Sequence, residues 1–281
     1  MKRPALLAAL IMPLAATQPT VAAPADKSIY TLFNPTPAAL LRDLSTDRPD
    51  QTESPYTVDA GHWQVELEFF NYTADRESGT RTTALNVAPI NFKLGLTNRA
   101  DLQFIFDGYS RERIRTGGST TRTRGWGDLT IRFKQNIWGN DGGDTAFALM
   151  PFVKLPLRLS DAGNALVEGG IIVPLAVSLP GGWGLGLMTE IDWMADGTDR
   201  TRRAAWINSI TFSRDLTARL GGYVEFFSSV SNERGAPWVG QFDVGLTYAL
   251  SANTQLDAGC NFGLTRAAPD LQPFLGLSVR Y

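Results

Sequence analysis

The stretch LQPFLGLSVRY, residues 271–281, alternates with a period of two. Leu271, Pro273, Leu275, Leu277, Val279 and Tyr281 fall on one face, and Gln272, Phe274, Gly276, Ser278 and Arg280 on the other. Successive side chains of an extended strand point to opposite sides, so this reads as a strand with one apolar face. The pattern holds to the last aromatic residue, where a soluble domain often frays. A strand pinned at both ends suits a closed barrel, whose last strand pairs with its first and leaves no edge.

Upstream, eleven more segments repeat the alternation. Val65, Leu67 and Phe69 oppose Gln64, Glu66 and Glu68; Leu129, Ile131, Phe133 and Ile137 oppose Asp128, Thr130, Arg132, Lys134 and Asn136. In AAWINSITFS both faces are partly apolar, and Trp206, Ile210 and Phe212 are assigned outward. Twelve is even, as bacterial single-chain barrels require, and segments of roughly 9 to 13 residues suffice for a tilted strand to cross a bilayer. The connections alternate too. Asn98-Arg99, GNDGGD, PGG, Arg214-Asp215 and SAN are short; TADRESGTRTT, RERIRTGGSTTRTRG and the others between them are longer or more polar. The expectation is an all-β fold: a 12-stranded antiparallel up-and-down transmembrane β-barrel over residues 62–281, with both barrel termini periplasmic and the polar loops outside the cell.

Aromatic residues cluster at both ends of these segments. Trp63, Trp138, Trp183, Tyr248 and Tyr281 lie near the short turns; Tyr72, Tyr109, Trp126, Trp193, Trp206 and Trp238 lie near the loops. Amphipathic rings favour the two lipid interfaces. A soluble β-sandwich would show the same alternation with its apolar face turned inward, and pattern alone does not separate the two.

If the apolar faces meet lipid, the lumen is lined with charge. Glu66, Glu68, Asp101, Asp128, Arg132 and Lys134 point inward from the first strands, with Lys93, Asp107 and Lys154. Glu190, Asp192, Arg219, Glu225, Asp243, Asp257 and Arg280 do so from the later ones. A base facing hydrocarbon at the bilayer midplane costs roughly 2–4 kcal/mol, so such groups must face water or one another. Two lumens satisfy this: a narrow conduit of mixed charge, or a closed interior cross-linked by ion pairs.

Residues 1–25 read as a signal peptide: Lys2 and Arg3, a short apolar core, then Ala23-Pro24-Ala25 as a small-x-small cleavage site. A helical anchor is the alternative, but the apolar run breaks at Pro13. Residues 26–61 are not strand-like. Thr36-Pro37 opens a helical turn or two, followed by a loop dense in Asp, Glu, Ser, Thr and Pro. This segment is either a periplasmic strap or a lumen-entering plug. Asp47, Arg48, Asp50 and Glu53 are candidates for a charge-paired latch against Arg280 or Arg132.

Losing Lys2 and Arg3 with the leader takes the formal charge from -2 to -4, which does not suit a nucleic-acid binder. The single cysteine, Cys260, excludes an intrachain disulfide. One histidine, His62, rules out a histidine metal cluster within the chain, and no cofactor or metal site is expected. A hydrolase would need His62 beside a serine on a neighbouring strand, for which Ser278 is the conceivable partner. The segment from Arg111 to Arg124 carries five arginines, Arg111, Arg113, Arg115, Arg122 and Arg124, around two glycines. It is the candidate for a mobile lid, and its arginines suit lipopolysaccharide phosphates or anionic solutes.

STDRPDQTESPYTVDAGHWQVE, residues 45–66, resembles the opening signature of an outer-membrane β-barrel family of transporters associated with the phenol meta-degradation pathway. The resemblance is specific in Asp47-Arg48-Pro49-Asp50, Thr52-Glu53-Ser54-Pro55, Gly61 and Gln64-Val65-Glu66. It implies a porin-like channel for small, often aromatic, compounds. It names no transport residue. The expected partners are outer-membrane lipid and lipopolysaccharide, a small solute, and the barrel-assembly machinery during insertion. A sealed structural or adhesive barrel is the second reading, and an outer-membrane hydrolase a remote third.

Overall fold

The computed structural model describes residues 26–157, 166–195 and 202–281; the expected signal peptide lies outside the described residues. Fifteen strand segments form one antiparallel sheet. They are β1 (Trp63–Glu77), β2 (Thr80–Val87), β3 (Ile90–Thr97), β4 (Ala100–Phe106), β5 (Tyr109–Thr116), β6 (Ser119–Trp126), β7 (Leu129–Trp138) and β8 (Thr145–Leu155). There follow β9 (Glu168–Leu179), β10 (Trp183–Ala195), β11 (Arg202–Asp215), β12 (Leu220–Ser231), β13 (Val239–Ser251), β14 (Thr254–Gly263) and β15 (Leu271–Arg280). β15 pairs back with β1, from Gln64↔Arg280 to Ala74↔Leu271, so the sheet closes.

Three barrel strands are each made of two segments. β2 runs into β3 across Ala88-Pro89, β4 into β5 across Asp107-Gly108, and β6 into β7 across Gly127-Asp128. The breaks lie side by side, since Val87 pairs with Tyr109 and Tyr109 with Trp126 just beyond them. Counted as continuous strands, the segments make a closed barrel of twelve, as the alternation predicts.

Sidedness follows the alternation. Trp63, Phe133, Trp138, Trp193, Trp206, Phe212, Phe226 and Leu246 are exposed on the outer wall, while Gln64, Lys93, Asp101, Lys134, Glu225 and Asp243 are buried inside. The soluble-sandwich reading fails here, because its apolar rows would fill the middle. Phe69 and Phe70 are both outward, at 41% and 36% exposure, because the β1–β15 register shifts between Glu68 and Phe70. An extra residue at a bulge reverses the phase of the strand beyond it. At the rim the girdle rings touch: Trp63 stacks on Tyr281 at 4.2 Å, and Trp138 on Phe147 at 4.6 Å.

Three expectations need correction. Arg214 and Asp215 are not a turn; they belong to β11, and the turn is residues 216–219. The Thr217 hydroxyl closes it by accepting from the Arg219 and Leu220 amides. Arg219 is consequently exposed in that turn and does not line the lumen. The third correction concerns TADRESGTRTT and the segment from Arg111 to Arg124, which are paired strand. β1 with β2, and β5 with β6, are hairpins turning at Ser78-Gly79 and Gly117-Gly118, and β2 pairs with β5. A polar composition suggests loop, but an antiparallel ladder is built from backbone N–H and C=O groups, which a hairpin of Thr and Arg also carries.

Candidate functional site

The strap, residues 26–61, cannot join the sheet. Pro35, Pro37, Pro49 and Pro55 lack the amide a ladder needs, and its short polar side chains favour turns. Its helical content is one 3-10 turn, η1 (Ala38–Leu40). Both ends are tied at the turn end of the barrel. The Leu32 amide donates to the Leu96 carbonyl at 2.8 Å, and the Gly61 amide to the Gly95 carbonyl at 2.9 Å. Between these ties the chain enters the lumen and returns. The return path crosses Gly95, where a Cβ would stand 2.8 Å from the Val58 carbonyl oxygen. Only a residue without a side chain lets the two backbones approach so closely.

Inside, the strap meets the wall through charge. Asp47 sits between two buried lysines of different strands, Lys93 at 2.5 Å and Lys134 at 2.6 Å. Lys93 also pairs with Glu66, and the Asp47 amide donates to the Glu66 carboxylate at 3.1 and 3.2 Å. Arg48 reaches Asp257 at 2.8 Å and Glu68 at 3.2 Å. The Gln51 and Thr52 amides both donate to Glu225 at 2.8 Å, and the Gln51 side chain donates to Asp243 at 2.7 Å. Glu53 pairs with Arg132 at 2.5 Å. Nearer the foot, Asp59 draws in Arg42 at 3.3 Å, with Lys27 and Arg280 each at 3.6 Å.

The latch candidates are thus in the lumen, with partners set by the fold. Glu53 meets Arg132, but Asp47 meets lysines, Arg48 meets acids, and Arg280 turns to Asp59 and the Arg42 carbonyl. Asp50 makes no ion pair among the described residues and lies beside Glu225 and Thr211. Asp101 accepts from the Val58 amide at 3.0 Å, and Asp128 from the Leu157 amide at 3.2 Å. The inward faces of β10, β12, β13 and β14 carry Glu190, Asp192, Glu225, Asp243 and Asp257 and no base. The strap brings donors to that acidic wall, Arg48 and the amides of Gln51 and Thr52.

Such a latch fixes position more than it adds stability. Desolvating a buried pair costs about as much as the attraction returns, but stranding one partner costs roughly 3–5 kcal/mol. The strap is therefore specified at each contact.

One part of the lumen escaped the sequence reading. Met150, Ile172 and Met188 are buried against one another, with Phe152 and Ile207 beside them. They are the inward residues of β8–β11, and the Glu53 amide meets the Met188 sulfur at 3.4 Å. The signal is in the sequence: AFALMPF and GGIIVPL are apolar on both faces, so their inward side chains are apolar as well as their outward ones. At the turn end a cavity of about 500 Å³ lies between Arg48–Asp50 of the strap and Gly184, Gly221 and Tyr223 of the wall.

His62 and Ser278 do not form a catalytic pair. Both ring nitrogens of His62 lie against backbone carbonyls, Thr36 at 2.8 Å and Tyr281 at 3.1 Å. Ser278 is buried opposite Glu66.

Residues 46–281 match the family described as the MetA-pathway of phenol degradation. The chain belongs to this family. The match begins one residue before Asp47, so the family's shared region includes the luminal part of the strap as well as the barrel. Among solved structures, an outer membrane channel from Pseudomonas putida F1 superposes with a TM-score of 0.61 at 13% identity, over 84% of this chain and all of that one. The translocator domain of the autotransporter NalP from Neisseria meningitidis gives 0.49 at 10% identity, over 78% and 88%. The CymD monoaromatic hydrocarbon channel gives 0.43 at 7%, over 78% and 87%. The first of these shows the shared fold, an outer-membrane β-barrel. No curated protein matches the chain.

Proposed function

We propose that this family member is an outer-membrane channel for diffusion of small solutes, small aromatic compounds among them, with the strap as its plug. One observation carries the reading. Between residues 42 and 58 the strap makes no backbone–backbone hydrogen bond to the wall among the described residues, and side chains hold it there. It can leave the lumen without unpairing the barrel. The mechanism is then pore size and lumen charge, with no covalent step. The apolar strip of Met150, Phe152, Ile172 and Met188 supplies a stretch of inner wall on which an aromatic ring loses little by leaving water. Both barrel termini and the short turns face the periplasm in this reading. The girdle rings contact outer-membrane lipid, and the barrel-assembly machinery inserts the chain.

The test is single-channel recording in planar bilayers. The wild type should show low conductance with brief openings. Asp47→Asn combined with Glu53→Gln should open longer and more often, and liposomes bearing it should admit phenol faster. No current from either protein would mean a sealed barrel and end the channel reading.

A further inference from the structure

Beyond its three aligned breaks the sheet continues as a four-stranded flap of β1, β2, β5 and β6. Its cross-strand rows are read from the register. Phe70, Val87, Tyr109 and Trp126 form the first; Tyr72, Leu85, Arg111 and Arg124 the second; Ala74, Thr83, Arg113 and Arg122 the third; Arg76, Arg81, Arg115 and Thr120 the fourth. Paired residues share a face, and Tyr72, Leu85 and Trp126 are exposed on the outer wall. All seven arginines of the flap therefore point away from the barrel axis. The flap's three acids, Asp75, Glu77 and Glu112, lie on the opposite face.

This segregation is costly if nothing binds. Arg111 faces Arg124, Arg113 faces Arg122, and Arg81 faces both Arg76 and Arg115. Like charges directly opposed destabilise a sheet. None of the seven makes an ion pair among the described residues, and the Arg113 Nε is shielded from solvent with no acceptor. Desolvation, and then Arg115, Arg122, Arg111 and Arg81, hold the Arg113 guanidinium below its usual pKa. A solvated rim would mix its signs. This face instead gathers one sign of charge.

Its height says which anion. Trp126 packs edge-on against Tyr109 at 5.3 Å and stacks with Phe106 at 5.9 Å, which places the aromatic girdle at the base of the flap. Each later row is about 7 Å further along the strands. The arginines thus begin where acyl chains end and headgroups start.

We propose that the outward face of this flap binds a phosphate-bearing lipid headgroup of the outer leaflet, of the bisphosphorylated glucosamine type. Guanidinium forks suit phosphate oxygens two at a time, and neighbouring arginines across a strand pair can share one phosphate. The girdle below would hold the acyl chains. The choice of leaflet rests on the orientation proposed above; the chemistry of the face does not.

The test uses the purified full chain in detergent, titrated with bisphosphorylated lipid A and followed by native mass spectrometry and thermal shift. A discrete adduct and a raised melting temperature are expected. Arg111→Gln, Arg113→Gln and Arg122→Gln together should weaken binding at least tenfold, while Glu112→Gln, on the other face of the same strand, should not. Retained heat-modifiable gel mobility shows that the variant is folded. Should it fail to fold, Arg113→Gln alone should weaken binding about threefold. Equal binding of dephosphorylated lipid A, or equal loss in Glu112→Gln, overturns the proposal. Displacement by millimolar inorganic phosphate would mark a free-anion site and overturn the lipid assignment. Labelling on intact cells of a cysteine placed at Ser78 tests the orientation separately, and no labelling would remove the outer leaflet from the proposal.

Discussion

The guanidinium of Arg48 lies against the bare α-carbon of Gly276, so close that a Cβ there would stand 2.7 Å from Cζ. Arg48 belongs to the strap and Gly276 to the closing strand, and Glu68 and Asp257 flank the contact. The missing side chain leaves the space through which the strap reaches both acids. Gly276→Val should therefore expel Arg48 while β15 keeps its pairing. Open probability in planar bilayers should rise severalfold and match that of Arg48→Ala. If Gly276→Val conducts like the wild type, Arg48 does not hold the strap.

Asp47 is a strap carboxylate shared by two buried lysines. Asp47→Asn leaves Lys134 without its anion and Lys93 with Glu66 alone. Unfolding in urea, followed by heat-modifiable mobility, should show a loss of about 3–5 kcal/mol. Adding Lys134→Met should return part of it, because the stranded charge is then gone. Simple additivity of the two changes would show that they do not interact.

The foot of the strap should respond to acid. Asp141, in the turn after β7, accepts from Asn98 at 2.5 Å and lies 3.0 Å from both Lys27 and Arg42. Burial raises its pKa, but these three donors outweigh burial and hold it below the usual carboxylate value. A depressed folded-state value means that this stabilisation is complete above the ordinary pKa of about 3.9 and is lost as pH falls past it. Protease cleavage within residues 26–45 should accelerate only below about pH 4. In Asp141→Asn the same cleavage should already be fast at neutral pH and change little with acid.

The apolar strip should decide which solutes gain from the channel. Met188→Gln replaces its central thioether with an amide at similar volume. In liposomes, phenol entry should fall about fivefold relative to a sugar of similar size, as expected for about 1 kcal/mol of lost apolar contact. A parallel fall for both solutes would mean that the pore had simply narrowed.

The lysines and the flap show where reading residues one at a time stops. That Lys93, Arg132 and Lys134 point inward follows from their place in an alternating segment, because a strand offers only two faces. That Lys93 and Lys134 converge on Asp47 does not follow, since β3 and β7 are brought together by the intervening β4 and by the path of the strap. Arg219 lies outside the lumen for a local reason: Thr217 closes a turn two residues later than charge and composition suggest.

Taken alone, the chain's two-residue rhythm determined the strands, their number and the split of each into an apolar and a charged face, because a strand offers only two sides. That the apolar face is the outer one, against hydrocarbon that repels charge, the rhythm left open and the closed sheet decided. Its proline-rich start determined that some segment would stand apart from the sheet. Folding in three dimensions decided the rest: where the strap lies, which acid holds which base, and that seven arginines share one side of a flap. Periodicity sorts residues by face, whereas ion pairs and charge clusters depend on register between distant segments, and backbone pairing sets that register across the whole closed sheet.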